Sequence, residues 1–273
     1  MLTRRRFLAA IAAASAGTLG YGRWVEPGRI DVTTHRVGAL GAGNSPLRLL
    51  HLTDLHLQRI GRHEERVAET AHALRPHLIA ITGDSVDRAD RLGLLADFLG
   101  LLPRVPTFAT LGNWEHWSGV DRGRLHDAYS RRGARLLLDE SVEVRHQGGS
   151  LLLTGMDDAT AGRPDLERAL RDAAPAPNHA VLAHSPVYRD VVAAHPAGAG
   201  FTPSLVLSGH THGGQVNLGG WAPARPAGSG RYVAGWYREP APALYVSRGI
   251  GTSVLPLRLG APPEVALFEW HLG

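Results

Sequence analysis

The residues richest in chemistry in this chain are histidines and acids that follow short apolar runs. Leu205, Val206, Leu207 and Ser208 lead into Gly209-His210-Thr211-His212-Gly213-Gly214-Gln215. Two histidines at i and i+2, on an extended or tightly turned backbone, converge on one small volume near a sheet edge. Neutral imidazole is the commonest protein ligand for divalent transition metals, so the pair suits Zn, Mn or Fe. Taken alone, it fits a surface turn or a satisfied core equally well.

The same kind of strand end recurs earlier in the chain. Leu49 to Leu52 leads into Thr53-Asp54-Leu55-His56, and Leu78 to Ile81 leads into Thr82-Gly83-Asp84-Ser85-Val86-Asp87. Thr107 to Leu111 leads into Gly112-Asn113-Trp114-Glu115-His116, and Ala180 to Ala183 ends in His184. Singly, Asp54 and Asp84 also fit helix or turn caps, Asn113 a turn beside Gly112, and His184 a core histidine. Jointly they repeat one chemistry: oxygen and imidazole donors delivered by the ends of apolar strands.

The elements that must position these groups alternate. Strands are expected at Ile30–Val37, Leu47–Leu52, Leu78–Ile81 and Thr107–Leu111, with helices at Glu64–Leu74 and Arg91–Leu102, stopped by Pro76 and Pro103. A helix at Asp121–Arg132 follows. Further strands are expected at Val142–Arg145, Ser150–Thr154, Ala180–Ala183, Leu205–Leu207, Leu244–Ser247 and Glu264–Trp270, interrupted by one helix at Asp165–Ala173. Gly219 to Gly235 reads as a long loop, the kind that forms rims and lids. This α/β rhythm implies two packed sheets with helices outside.

The 273 residues are 44% hydrophobic and 20% charged, an ordinary globular composition that allows a sizeable core. Net charge is +4, and all 29 basic residues are arginine. They are scattered and not interleaved with aromatics, so no nucleic-acid surface is expected. The basic balance (pI about 9.9) remains compatible with phosphorylated substrates or an anionic membrane. With no cysteine, any metal must be held by His, Asp, Glu or Asn.

Residues 1–25 read as an address placed before a domain that spans 26–273. Arg4-Arg5-Arg6-Phe7-Leu8 precedes the alanine-rich run Ala9 to Ala16, a basic region followed by a moderately apolar one. The paired arginines before Phe-Leu resemble a twin-arginine export signal. The expectation is export by that machinery to the periplasm or outer face of the cytoplasmic membrane, with the segment either cleaved or kept as an anchor. A basic amphipathic helix is the alternative.

The ordered set of motifs resembles the calcineurin-like metallophosphoesterase superfamily, from Asp54-x-His56 through Gly83-Asp84-x-x-Asp87, Gly112-Asn113 and His184 to Gly209-His210-x-His212. The resemblance spans roughly Leu47 to Trp270, and the Gly-His-Thr-His-Gly-Gly-Gln-Val ending is similar to a bacterial exported or membrane-associated branch. It implies a four-layer sandwich of two mixed sheets flanked by helices, with a dinuclear metal site at the strand ends. Asp54, His56 and His212 would bind one divalent cation (Mn, Fe or Zn), and Asn113, His184 and His210 the other. Asp84 would bridge the two.

A metal-bridging hydroxide would then hydrolyse a phosphate ester, most simply a phosphodiester or pyrophosphate, with lipid- or envelope-linked esters among the candidates. Phosphomonoester hydrolysis, or a non-catalytic metal- or phosphate-binding envelope protein, are the other readings. This chain departs from the pattern at Trp114, where the family carries a catalytic histidine. His116, two residues on, is the candidate replacement acid. Asp87 is expected to support the Asp84 turn through hydrogen bonds and Glu115 to orient a neighbour in the same way, Thr211 to line the site, and Arg248 to meet either substrate phosphate or a surface acid.

Overall fold

The apolar runs that precede each polar motif are strands buried on both faces, which is why they read as unbroken hydrophobic stretches. A computed structural model describes residues 3–39, 45–195, 200–239 and 241–272; Met1 and Leu2 of the expected export segment and Gly273 of the expected domain lie outside the described residues. In chain order the strands are β1 (Asp31–Val37), β2 (Leu47–Leu52), β3 (Leu78–Thr82), β4 (Thr107–Thr110), β5 (Ala134–Leu136) and β6 (Glu140–His146). They continue with β7 (Gly149–Gly155), β8 (His179–Leu182), β9 (Leu205–Ser208), β10 (Gly235–Tyr237), β11 (Ala243–Val246) and β12 (Glu264–Trp270). The helices are α1 (Arg4–Trp24), α2 (Arg62–Leu74), α3 (Leu92–Leu101), α4 (Asn113–Trp117), α5 (Arg122–Ser130), α6 (Leu166–Leu170) and α7 (Tyr188–Ala194).

Two six-stranded mixed sheets result, in the orders β1-β12-β2-β3-β4-β5 and β10-β11-β9-β8-β7-β6. Within them β2, β3, β4 and β5 run parallel, as do β7, β8, β9 and β11. Leu49, Leu78, Phe108, Leu153, Leu207 and Phe268 interlock between the sheets. On the outer face of the first sheet, Val67, Leu95, Phe98 and Leu125 cover Leu50 and Ile79. On the second, Leu166, Leu170, Tyr188 and Val192 cover Val181 and Val206. The expected four-layer architecture is present: helices, sheet, sheet, helices.

Local signals explain most helix ends. Asp121 caps α5 by accepting from the Arg124 N–H, and Asp165 caps α6 by accepting from Arg168. Elements without a legible pattern were α4 and α7, five and seven residues long, and β5 and β10, three residues each. Such lengths hold too few periods for hydrophobic spacing to register.

α1 is exposed along its length except at Gly20, which is partly buried, and Gly22, which is buried. Its last turn rests on the sandwich: the Gly22 carbonyl accepts from the Arg258 N–H at 2.9 Å. Just beyond, buried Glu26 accepts from the Ala261 N–H at 2.8 Å.

Phe268 is fully buried at the centre of the inter-sheet layer. Phe268→Ala is therefore expected to lower stability by about 3–5 kcal/mol through the cavity it leaves. Urea unfolding should show a lower midpoint with an unchanged slope.

Candidate metal centre

Parallel strands end in the same direction, so the loops after β2, β3, β4, β8 and β9 gather at one end of the sandwich. The backbone there is unusual. Asp54 (φ 52°), His56 (φ 43°), Asp84 (φ 52°), His210 (φ 71°) and His212 (φ 51°) all adopt the left-handed conformation. Aspartate and histidine tolerate it better than most residues, but clustering of this kind marks sites where side chains must be turned against local preference. The neighbouring glycines are required by close approach. A Cβ on Gly209 would collide with an Asp54 carboxylate oxygen, and one on Gly112 would collide with Asp84 Oδ1.

The structure brings all seven expected ligands together. His56 Nε2 and His212 Nε2 are 3.0 Å apart, with Asp54 Oδ1 3.4 Å from His212 Nε2. Beside them, Asn113 Oδ1 lies 3.1 Å from His184 Nε2 and 2.8 Å from His210 Nδ1. Asp84 Oδ2 stands between the two groups, 3.6 Å from His56 Nε2 and 3.3 Å from His184 Nε2. Asp54 reaches both: with His56 and His212, and again with Asp84 and His184, its ligand atoms fall within 4.8 Å of the others. All seven side chains are buried.

Outer partners decide which ring nitrogen faces inward. His56 Nδ1–H donates to Asp87, His184 Nδ1–H donates to the Thr82 carbonyl at 2.7 Å, and His210 Nε2–H donates to the Ala227 carbonyl at 2.6 Å. In each case the opposite nitrogen is left with its lone pair toward the cluster, the tautomer that a metal needs. His212 differs: its Nδ1 faces Arg258 Nη2 at 3.3 Å. Arg258 is fully buried, and its guanidinium donates to the carbonyls of Arg248, Gly251 and Ala261.

Charge is distributed unevenly across the cluster. Burial pushes the Asp54 carboxyl up, although His184 pulls against it. Burial would raise Asp84 too, but the charge and hydrogen bond of His184, with help from His56 and the Trp114 N–H, bring it down to about 2. Burial disfavours a charged His184, yet Asp84 and Asp54 lift it well above the ordinary histidine value. His210 and His212 are lowered, first by burial and then by neighbouring positive groups. Positive charge between Asp54 and Asp84 is what these acids demand, and the donor set of carboxylate, amide oxygen and imidazole fits divalent Mn, Fe or Zn.

The supporting residues fall into place with some surprises. Asp87 braces His56 and not the Asp84 turn, its second oxygen accepting from Gln58 Nε2 at 2.8 Å. Glu115 holds that turn instead, accepting from the N–H groups of Asp84 (3.0 Å), Ser85 (2.6 Å) and Gly112 (2.9 Å). Burial and then the Asp84 charge raise its carboxyl to about 6. Thr211 accepts from the Gly213 N–H and donates to the Val233 carbonyl. Arg248 turns from the ligands toward Asp31 (3.2 Å) and Glu264 (3.7 Å).

Trp114 and His116 diverge. Trp114 donates its backbone N–H to Asp84 Oδ1 at 2.9 Å and sets its ring edge-on to His56, centroids 6.1 Å apart. His116 turns to Asp157, with Nε2 and Oδ1 at 2.7 Å. Sequence reasoning missed Asp157, Arg258 and the Ala227 carbonyl. The one available signal was Arg258 itself, a charge between Leu257 and Leu259 in a largely apolar stretch.

A cleft of about 510 Å³ opens over the cluster. Asp84, Asn113, His210 and His212 form its polar floor, while Trp114, Trp117, Val216, Pro223, Val254 and Leu255 make apolar walls. Arg225 is the cationic side chain on that lining.

Residues 47–214 match the calcineurin-like phosphoesterase family. The chain is 33% identical to phosphodiesterase YaeI of Escherichia coli K12, over 98% of this chain and 99% of that protein. It is 28% identical to the uncharacterized metallophosphoesterase YkuE of Bacillus subtilis 168, over 98% and 97% of the two chains. Among solved structures, TT1561 of Thermus thermophilus shares the fold with a TM-score of 0.50 at 14% identity, over 76% of this chain and 91% of that one.

Two measurements check this arrangement. Asp87→Ala frees the His56 ring, so Mn²⁺ affinity by calorimetry is expected to fall about 10–100-fold. The His116–Asp157 pair should leave a pH signature in stability. The Asp157 hydrogen bond raises His116 above 6.5; burial opposes ionisation of Asp157, but the His116 bond and backbone N–H groups lower it below 3.8. The pair's stabilisation is thus complete between those ordinary values, lost as pH rises through the raised histidine pKa, and lost again as pH falls through the lowered aspartate pKa. Asp157→Asn should destabilise the protein more at about pH 5.5 than at about pH 9 in urea unfolding.

Proposed function

The chain belongs to the calcineurin-like phosphoesterase family and is a metallophosphoesterase, and we propose that it cleaves phosphodiester or pyrophosphate bonds at a dinuclear centre outside the cytoplasmic membrane. The observation that carries this is the convergence of seven buried ligand side chains on two adjacent points that share Asp84. Two divalent cations, when bound, supply an ionised water as nucleophile and neutralise charge on the phosphoryl oxygens. Asp54, His56 and His212 would hold one and Asn113, His184 and His210 the other, with Asp84 between them.

The chain's own groups then set the chemistry. Glu115 holds the Asp84 backbone and the Trp114 N–H holds its Oδ1, so the bridging carboxylate cannot swing. Trp114 lines the cleft, and its indole N–H, which no group among the described residues accepts, is free to donate to a phosphoryl or leaving-group oxygen. It cannot supply a proton. His116, whose hold on a proton Asp157 strengthens, is the nearest imidazole in sequence and serves as the acid when its side chain turns from Asp157 to the cleft. Substrates with good leaving groups need that proton least, which favours aryl-like or pyrophosphate leaving groups.

The apolar walls of the cleft support a lipid- or envelope-linked substrate. Export is supported by the arginine-led, alanine-rich α1, and among the described residues no helix is long and apolar enough to cross a membrane.

Turnover of bis-p-nitrophenyl phosphate with added Mn²⁺, abolished by Asp84→Asn and by chelation, is the expected result; turnover that survives Asp84→Asn would refute the dinuclear site. His116→Ala should cost about 10²–10⁴-fold on diesters with poor leaving groups and little on the nitrophenyl diester. Equal indifference of both substrates would remove His116 from the mechanism, and Trp114→His would then be expected to raise turnover of the poorer substrate.

A further inference from the structure

We infer that the mouth of the metal cleft is a lipid-docking surface, seated on an anionic phospholipid bilayer so that the scissile phosphate enters directly from the membrane; this rests on the phosphoesterase reading of the site below it. Two segments meet at that mouth and are tied to one another by hydrogen bonds, and the end of α1 is bonded to the second of them. Gln215 Nε2 donates to the Leu255 carbonyl at 2.7 Å, and Gln215 Oε1 accepts from the Ser253 N–H at 2.9 Å. Asn217 N–H donates to the Leu259 carbonyl at 2.7 Å, and Arg258 N–H donates to the Gly22 carbonyl at 2.9 Å. The 215–221 turn and the 253–259 loop therefore form one connected rim, and the end of α1 is hydrogen-bonded to that loop at Arg258.

That rim presents large apolar side chains to solvent. Val254 is 88% exposed, Trp221 63%, Leu255 56% and Leu218 54%, and Trp24, on the attached end of α1, is 76% exposed. They are not loose ends. Leu218 and Trp221 close a tight turn through a backbone hydrogen bond of 2.9 Å, and Asn217 Oδ1 caps it by accepting from Gly220. Val254 has φ 61°, a conformation that a β-branched residue adopts only under constraint. A strained backbone that thrusts an isopropyl group into water has no folding rationale, whereas an apolar phase above it supplies one.

Charge complementarity selects the phase. α1 contains Arg4, Arg5, Arg6 and Arg23 and no acid, and Arg225 stands on the cleft lining. Exposed tryptophans beside cations are the pattern of a surface lying at the headgroup level of an anionic bilayer. From the rim inward, Trp117, Val216, Val254 and Leu255 continue the apolar path to Asp84 and the histidines. An acyl or polyprenyl chain would follow that wall while its phosphate reached the floor.

The test uses the full chain and co-sedimentation with vesicles of phosphatidylglycerol and phosphatidylethanolamine, with phosphatidylcholine vesicles as the uncharged comparison. The parent protein is expected to bind the anionic vesicles, more weakly as salt rises. Leu218→Ser with Trp221→Ser, outside the cleft lining, should lower vesicle affinity at least about tenfold while turnover of soluble bis-p-nitrophenyl phosphate is kept. Val254→Ser with Leu255→Ser should lower vesicle affinity similarly.

No binding by the parent, or undiminished binding by both rim variants, would overturn the surface. So would binding lost only in Phe7→Ser with Ile11→Ser, because that places the anchor in α1 alone. The two readings fail separately: turnover without vesicle binding removes only the surface, and vesicle binding without turnover removes only the hydrolase.

Discussion

Two buried carboxylates, held within reach of four inward-facing imidazoles, are the constraint to which the rest of the molecule answers. Placing like lone pairs at such separations in a desolvated site is strongly unfavourable unless positive charge stands between them. The pull of Asp54 and Asp84, which lifts the proton affinity of His184 well above the ordinary histidine value, shows that need, and a proton there would meet it only in part. Divalent cations meet the need more fully, and each contact made to them stabilises the surrounding fold. The left-handed backbone at five ligand positions and the bare approach at Gly112 and Gly209 are the geometric cost of that convergence.

Such a cost can be sustained because the strands beneath are fully buried and packed on both faces. β3, β8 and β9 are buried on every residue, packed between the inter-sheet layer and the outer helices. Rigid strands fix the starting points of the loops, and short hydrogen bonds then fix the side chains. Glu115 joins the β3 and β4 loops through their N–H groups, while Thr82 joins the two sheets by accepting from His184. Positioning thus passes from strand to loop to imidazole with no long flexible link.

This hierarchy explains what was legible in the chain. Asp54, His56, Asp84, Asn113, His184, His210 and His212 could be singled out because each stands within a few residues of the end of one of five apolar runs. Their outer partners were not. His184 finds Thr82 across 102 residues, His212 finds Arg258 across 46, and His116 finds Asp157 across 41. Two of the acceptors, Thr82 and Ala227, act through backbone carbonyls, which carry no mark of residue type. The sheets were legible where a strand showed an apolar run or an alternation over four residues or more, and illegible at β5 and β10, whose three residues cannot display a period.

Trp114 shows how one departure from a shared pattern redistributes roles. The histidine that the family resemblance implies at this position would be a proton donor to the cleft. The indole instead packs edge-on against His56 and Trp117, extending an aromatic wall from the ligands toward the mouth. The change removes acid strength from the site and adds apolar surface to it in the same step. A phosphate ester that needs little help with its leaving group, but carries an apolar portion to be held, matches both halves of that exchange. The strained, exposed Val254 and the tryptophans of the rim extend the same apolar surface outward. On the proposed function and docking surface, chemistry at the floor and adhesion at the mouth would be two consequences of one wall, with Trp114 the residue at which they join.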